Sequence, residues 1–278
     1  MILVTGAGGR VGGSVVAQLR ARGEKVRALV RDPRRGTPMP GVEVVRGDLT
    51  DPVSVAAAMD SVRAVVLVWP TLSADAAAPA TIAAIAERAE RVVYLSANGV
   101  TAGADEGILG SHAMLEGLLE DSGMDWTFLR PSGFAANTLG WAGQIRDTGV
   151  VRWIHGAARR SLIDERDIAA VAVRAATESG HVGQRYVLTG SESLTHIEQV
   201  AVIGTAIGRP IRFEEIDPDT ARRTLFEDMP PQAVDGILAA HAAMVAVPEP
   251  VTDTVARITG NPARSFSEWA AAHAAEFA

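Results

Sequence analysis

The chain has 278 residues, 47% of them apolar, and a formal net charge of −7. That supplies the core of one large α/β domain, alone or with a small lobe, and the acidic balance without a basic stripe argues against nucleic acid as a partner. There is no cysteine, which excludes disulfides, thiolate metal sites and a cysteine nucleophile.

Residues 2–4 read as a strand that breaks into a glycine loop at Gly6, Gly8 and Gly9 and then enters the helical pattern Val11, Val15, Leu19. Gly6 permits a sharp turn, Gly9 lets backbone approach a diphosphate, and Gly12 lets the new helix pack on the strand. The helix N-terminus, at Arg10 and Val11, offers N–H groups and a positive dipole end to an anion. The stretch predicts a dinucleotide site. No apolar run reaches the ~18 residues of a membrane span, and a strand stands where a charged leader would be. The expectation is a soluble cytoplasmic protein, off the membrane, as a monomer or homodimer.

Residues 25–30 predict a second strand running into Arg31, Asp32 and Pro33, where a dinucleotide fold meets the adenosine ribose. An acid there accepts from ribose hydroxyls, whereas an arginine holds a 2′-phosphate through charge-assisted hydrogen bonds. Arg31 therefore favours NADP(H), with Arg10, Arg34 and Arg35 as helpers. Residues 42–46 are a third strand. Asp48, beside Leu49, either accepts from the adenine amino group or holds the turn, and Thr50, Asp51 and Pro52 announce a helix. Residues 64–68 are the apolar run of a central parallel strand, stopping at Trp69 and Pro70. A helix over 75–89 and a fifth strand over 91–95 follow, the latter leaving at Ser96, Ala97 and Asn98.

This order predicts an α/β fold, a doubly wound parallel sheet of Rossmann type, with ligands beyond the carboxyl ends of the strands. The glycine loop, Arg31, Asp48, Trp69 and Ser96 then share one crevice. A helix over 111–122 carries His112 at the edge of its apolar face and Glu116 one turn on. Either the two pair along the helix, or His112, with its near-neutral pKa, donates a proton to a substrate oxygen. No third ligand stands near them, so a metal is not expected.

A sixth strand over 126–129 runs into Arg130, Pro131, Ser132, Gly133 and Phe134. Residues 1–134 are the expected dinucleotide-binding domain, with a strand return near 160–190. Residues 135–159 and 191–278 are expected to form a smaller C-terminal α/β substrate lobe. Trp69, Asn98, Phe134, Asn137, Trp141 and Trp153 are candidates for the substrate wall, each equally suited to a core. Asp164 and Asp167 cap a helix, residues 160–163 and 185–188 read as strands, and a helix over 193–208, a strand over 211–216 and short proline-punctuated helices follow. Ser265 and Glu268 form a capping box.

Assembled, these pieces resemble the short-chain dehydrogenase/reductase superfamily, and more closely its atypical NmrA-like branch. The matching stretches are Thr5-Gly6-Ala7-Gly8-Gly9-Arg10-Val11-Gly12, Ala28-Leu29-Val30-Arg31-Asp32-Pro33, Gly47-Asp48-Leu49-Thr50-Asp51, His112 with Glu116, and Trp126-Thr127-Phe128-Leu129-Arg130-Pro131. The resemblance implies an extended, atypical Rossmann domain binding NAD(P), with Arg31 selecting NADP and Pro131 to Phe134 beside the nicotinamide. The superfamily's catalytic tyrosine and lysine, four residues apart, are absent: Lys25 is the only lysine, and the only tyrosines, Tyr94 and Tyr186, fall inside strands. His112 takes the helix where related reductases place a lysine or histidine. The expected function is an NADPH-dependent reductase that transfers hydride to a carbonyl or quinone of a small, aromatic substrate. The alternative is a non-catalytic NADP(H) sensor.

Overall fold

The computed structural model describes residues 1–34, 40–69, 76–101 and 107–278; Arg35, Pro70 and Asp75, named above, lie outside them. Two compact units emerge, Met1–Pro131 with Glu165–Leu188, and Ser132–Asp164 with Thr189–Ala278.

In the first unit β1 (Ile2–Val4) leads through α1 (Arg10–Ala21) to β2 (Val26–Val30) and β3 (Glu43–Arg46). Then come α2 (Pro52–Ala58), β4 (Ala64–Leu67), α3 (Ala78–Ala86), β5 (Arg91–Leu95), α4 (Gly107–Glu120) and β6 (Asp125–Pro131). The chain passes through α5 (Ala142–Thr148), β7 (Val150–Trp153) and β8 (Arg159–Arg160) of the second unit, and returns as α6 (Glu165–Thr177) and β9 (Gln184–Leu188). The strands of the first unit make a seven-stranded sheet in the order β3-β2-β1-β4-β5-β6-β9. Every pairing is parallel.

The order reverses between β1 and β4, so the connections from these two strands diverge and leave a crevice at their carboxyl ends. Apolar runs suit such a sheet because both faces are covered. Leu3, Val65, Leu67, Tyr94 and Phe128 face a core shared with Val55, Ile82, Leu115 and Leu119 of α2, α3 and α4. On the other side α1 packs on α6.

In the second unit a 3₁₀ helix over Ala135–Trp141 precedes α5. β8 pairs antiparallel with β10 (Leu194–Thr195), which leads into α7 (His196–Ala206) through a Thr195–Glu198 capping box. β7 runs parallel to β11 (Arg212–Glu215). The remainder is helical: α8 (Pro218–Thr224), α9 (Pro231–Ala246), α10 (Thr254–Thr259), α11 (Phe266–Ala272) and α12 (Ala274–Phe277), with the Ser265–Glu268 box in place ahead of α11.

Three sequence expectations change here. Residues 150–153, read within a loop-rich stretch, are strand β7, whose partner β11 arrives some sixty residues later and leaves no local signature. In place of a strand over 160–163, β8 covers only Arg159–Arg160, and Ile163 makes a single bridge to Phe134. Phe134 belongs to the second unit, because the amide of Ala135 donates to Ile163 and that of Ile163 donates to Gly133. Among the described residues no helix is long and apolar enough to cross a membrane.

Candidate active site

Thr5, at the exit of β1, fixes the crevice. Its hydroxyl donates to the carbonyl of Val68 at 2.8 Å and accepts from the Val68 amide at 2.8 Å, stapling the ends of β1 and β4 together. Gly6 follows at φ +60°, a left-handed conformation that glycine adopts without strain. The Gly9 amide donates to Gly6 at 2.9 Å, closing the loop. A Cβ at Gly12 would lie 2.2 Å from the Gly6 carbonyl oxygen, so the helix sits as close to the loop as backbone permits. A Cβ at Gly8 would meet nothing within 4 Å: there the loop faces open space. The N-cap of α1 is Gly9, with no side-chain cap, so the first amides of the helix are left for another acceptor.

The pocket ahead of this loop has a volume of about 840 Å³. Gly6, Gly8, Gly9, Asp48, Leu49 and Trp69 line it, and Arg31 with Asp32 forms a rim. Trp69 is buried, and its Nε1 has no hydrogen-bond partner, a donor aimed for an acceptor the protein does not supply. Asp48 has its Oδ1 engaged by the amide and hydroxyl of Thr50, both at 2.9 Å, and these bonds hold its carboxyl below the usual range. Arg34 turns back to Asp32, with Nε at 3.1 Å from Oδ1, and does not line the pocket beside Arg31. Its hydrogen bonds keep the Asp32 carboxyl low. Arg10, Val11 and Gly12 stand behind the lining, in the first turn of α1.

Of the two alternatives for His112, the pairing with Glu116 along the helix does not form. Nδ1 of His112 lies 2.6 Å from the Tyr94 hydroxyl, and Glu116 turns to Ser96 and Arg130. Tyr94 is fully buried on β5. Burial, with the Glu116 charge adding, raises its pKa, so the phenol keeps its proton. Its only hydrogen-bond partner among the described residues is His112, so the phenol donates to Nδ1 and the imidazole carries its own proton on Nε2. Burial also lowers the pKa of His112, against the opposing pull of Glu116. Sequence reading placed Tyr94 inside a strand and found no role for it; a strand residue's partner on a helix eighteen positions later gives no local signal.

Ser96, expected against the cofactor, instead donates to Glu116 Oε1 at 2.5 Å and is buried. Arg130 grips the same carboxylate through Nε at 2.9 Å and through Nη2. This buried triad ties β5, α4 and β6 together. Pro131 ends β6 and accepts from the Asn98 amide at 2.9 Å. Neither Ser96, Pro131 nor Asn98 lines the 840 Å³ pocket.

In the second unit Phe134 caps the 3₁₀ helix and Asn137 is exposed on it. Trp141 is 4% exposed and packs with Ile145, Val151 and Trp269, so it serves the core, with the Trp153 ring edge-on at 5.9 Å. Trp153 is half-buried and its Nε1 has no partner. No group of three His, Asp or Glu able to hold a metal occurs among the described residues.

A doubly wound sheet with a glycine loop, an uncapped helix N-terminus and a pocket at the strand-order reversal defines a dinucleotide-binding protein of Rossmann type. Known proteins bear this out. The NAD(P)H-binding protein family matches residues 6–179, and the chain belongs to it. It is 42% identical over its whole length, and 99% of the relative's, to a (4-alkanoyl-5-oxo-2,5-dihydrofuran-3-yl)methyl phosphate reductase of Streptomyces griseus. It is 35% identical, over 100% of its own and 99% of the other chain, to an NAD(P)H azoreductase of Xenophilus azovorans. The NADPH-dependent quinone oxidoreductase of Escherichia coli, solved with NADPH, shares its fold at a TM-score of 0.78, with 22% identity over 98% of this chain and 99% of that one. The protein is an NAD(P)H-dependent oxidoreductase.

Proposed function

We propose that this protein reduces a carbonyl or quinone of a small conjugated substrate with NADPH, and that His112 supplies the accompanying proton. What carries the reading is the pocket where the strand order reverses: close backbone at Gly6, Gly9 and Gly12, open space at Gly8, and an uncapped helix fit a diphosphate. NADPH, when bound, supplies hydride from its nicotinamide. The acceptors named for the relatives, a furanone-type methyl phosphate and an azo group, are small, and this chain's substrate is of that scale.

The protein's own part is to hold and orient. Arg31, exposed at the pocket rim, takes the 2′-phosphate by charge and hydrogen bonding. Asp48, kept ionised by Thr50, and Leu49 frame the adenine end, and Trp69 offers its unpartnered indole N–H. Arg10, Val11 and Gly12 present first-turn amides. Ser96 and Pro131 act at one remove: Ser96 fixes Glu116, and Pro131 holds the strand end from which Asn98 is set. Trp69, Asn98, Phe134, Asn137 and Trp153 remain the candidate substrate contacts, and Trp141 supports Trp153 from the core of the second unit.

With Nδ1 accepting from the Tyr94 hydroxyl, His112 keeps its N–H on Nε2, the form that donates to a developing alkoxide or hydroquinone oxygen. Orientation against the hydride supplies most of the rate, so loss of this donor slows turnover and does not abolish it. NADPH oxidation by the purified protein against quinones, aromatic ketones and the furanone phosphate tests the reading, with NADH, Arg31→Ala and His112→Ala alongside. Expected are turnover above the no-enzyme blank, roughly tenfold loss of NADPH preference in Arg31→Ala, and a lowered kcat in His112→Ala. NADPH binding with no turnover on any acceptor would overturn the catalytic reading.

A further inference from the structure

Among the described residues of the second unit, buried polar atoms without a hydrogen-bond partner occur at Trp153 Nε1, Arg160 Nε, Ser193 Oγ and His241 Nδ1. Each forgoes a bond that water supplied before folding, at about 1–3 kcal/mol, so such atoms are rare and call for a reason. Here they sit on neighbouring residues. The His241 ring lies 6.3 Å from that of Trp153 and 5.0 Å from that of His196. Arg160 is on β8, and Ser193 immediately precedes β10, the strand paired with it.

Arg160 is the charge at the centre of this group. Its side chain is only 16% exposed, and the Glu249 carboxylate stands 3.8 Å from Nε, beyond hydrogen-bond reach. That carboxylate already accepts from the amide of Ser161 at 2.9 Å. A buried cation so loosely compensated leaves a positive potential unspent. Gly133 makes room for it: a Cβ there would lie 2.1 Å from Arg160 Nη2.

The two histidines are neutral. Burial first, then the Arg160 charge, pushes His241 down to about 3. Burial pushes His196 down to about 4, with Arg160 adding to it against the hydrogen bonds its Nδ1 makes to the carbonyls of Ile154 and His155. An anion beside Arg160 offsets that charge and, by its own, raises the pKa of both rings against burial, which favours His241 taking up a proton and donating.

We propose that Arg160, Trp153 and His241 form a binding site for the phosphate group of a small organic phosphomonoester. The guanidinium fork engages two oxygens, and the indole N–H and the imidazole reach for the third, which a carboxylate lacks. A cation is a poor occupant, since Arg160 repels it. The proposal deepens the reductase reading, resting on it for one point only: that the phosphomonoester is the substrate being reduced.

Calorimetry with phenyl phosphate, phenol and inorganic phosphate tests it in the wild-type protein, in Arg160→Gln, and in Trp153→Phe, which keeps an aromatic ring and removes the N–H. We expect phenyl phosphate to bind with proton uptake, about tenfold more weakly in Arg160→Gln and about threefold in Trp153→Phe, with phenol and inorganic phosphate weaker throughout. Equal affinity for phenyl phosphate in all three proteins, or inorganic phosphate binding as tightly as phenyl phosphate, would overturn it. NADPH-dependent quinone turnover in the wild-type protein separates the two claims. Its absence strikes the reductase reading and leaves the calorimetric result standing.

Discussion

Tyr94 donates its phenolic proton to His112 across 2.6 Å, from a strand residue with no exposed surface to a half-buried helix residue. The bond favours neutral imidazole, since a protonated Nδ1 has no lone pair to accept it. In Tyr94→Phe the ring still fills its place against Phe128, 6.1 Å away, while the bond is gone. The pKa of His112 should then rise, and turnover fall about threefold to tenfold with KM little changed, because the donor loses its orientation. A titration of the His112 ring resonance beside steady-state kinetics checks both. An unmoved pKa would mean that burial alone sets it.

The glycine loop separates a requirement of the fold from one of the ligand. Gly12→Ala forces a methyl group to 2.2 Å from the Gly6 carbonyl oxygen, a backbone atom that cannot step aside. The loop or the helix must shift, at an expected cost of about 3 kcal/mol or more. Gly8→Ala meets nothing within 4 Å and should leave stability within about 1 kcal/mol of wild type, while its methyl intrudes where the diphosphate belongs. Urea unfolding and NADPH titration of both variants give the test. A stable Gly8→Ala protein with undiminished NADPH affinity would move the diphosphate away from this loop.

The histidines of the second unit tie stability to pH. His241 and His196 have folded values of about 3 and about 4, below the 6.5 of a free imidazole. As pH falls through 6.5 the unfolded chain takes up protons before the folded one, so their contribution is fully present above that value. It is lost progressively down to the folded values, amounting to about 3 kcal/mol for His196 and about 5 kcal/mol for His241. Melting temperature should therefore drop steadily between pH 7 and pH 4.5, and His241→Gln should flatten the slope. A slope unchanged by that substitution would place the acid sensitivity elsewhere.

How much of this was legible follows from the range of each constraint. The β1-loop-α1 unit declares itself because its glycines act on neighbours a few residues away, as in the contact of Gly12 with Gly6. Arg31 could be placed because a strand end followed by its turn is also local. The partners of His112 and Glu116 could not. Helical spacing puts those two side by side, yet β5 supplies Tyr94 for one, Ser96 just past its end serves the other, and β6 adds Arg130. Trp141 and Trp153 were ambiguous for a related reason: a tryptophan's area suits a wall or a core equally, and only packing against distant residues such as Trp269 decides. β7 was missed because its pairing with β11 lies far along the chain.

The Glu116–Arg130 pair gives the sharpest energetic expectation. Glu116 is 4% exposed and accepts from Ser96 as well as from both ends of the Arg130 fork, so its charge is fully hydrogen-bonded. Removing either partner strands the other in a medium that solvates it poorly, which costs about 3–5 kcal/mol for a buried pair. Glu116→Gln and Arg130→Gln should each fall near that range, while the double variant, with two neutral amides able to bond each other, should cost well under their sum. Urea unfolding of the four proteins measures the coupling, and additive costs would show that the pair does not act as a unit. The same substitution also reaches the proposed proton donor. The Glu116 charge raises the pKa of His112 against burial, so in Glu116→Gln that pKa should fall further. It would thus move opposite to its shift in Tyr94→Phe, a contrast that a merely destabilised helix would not produce.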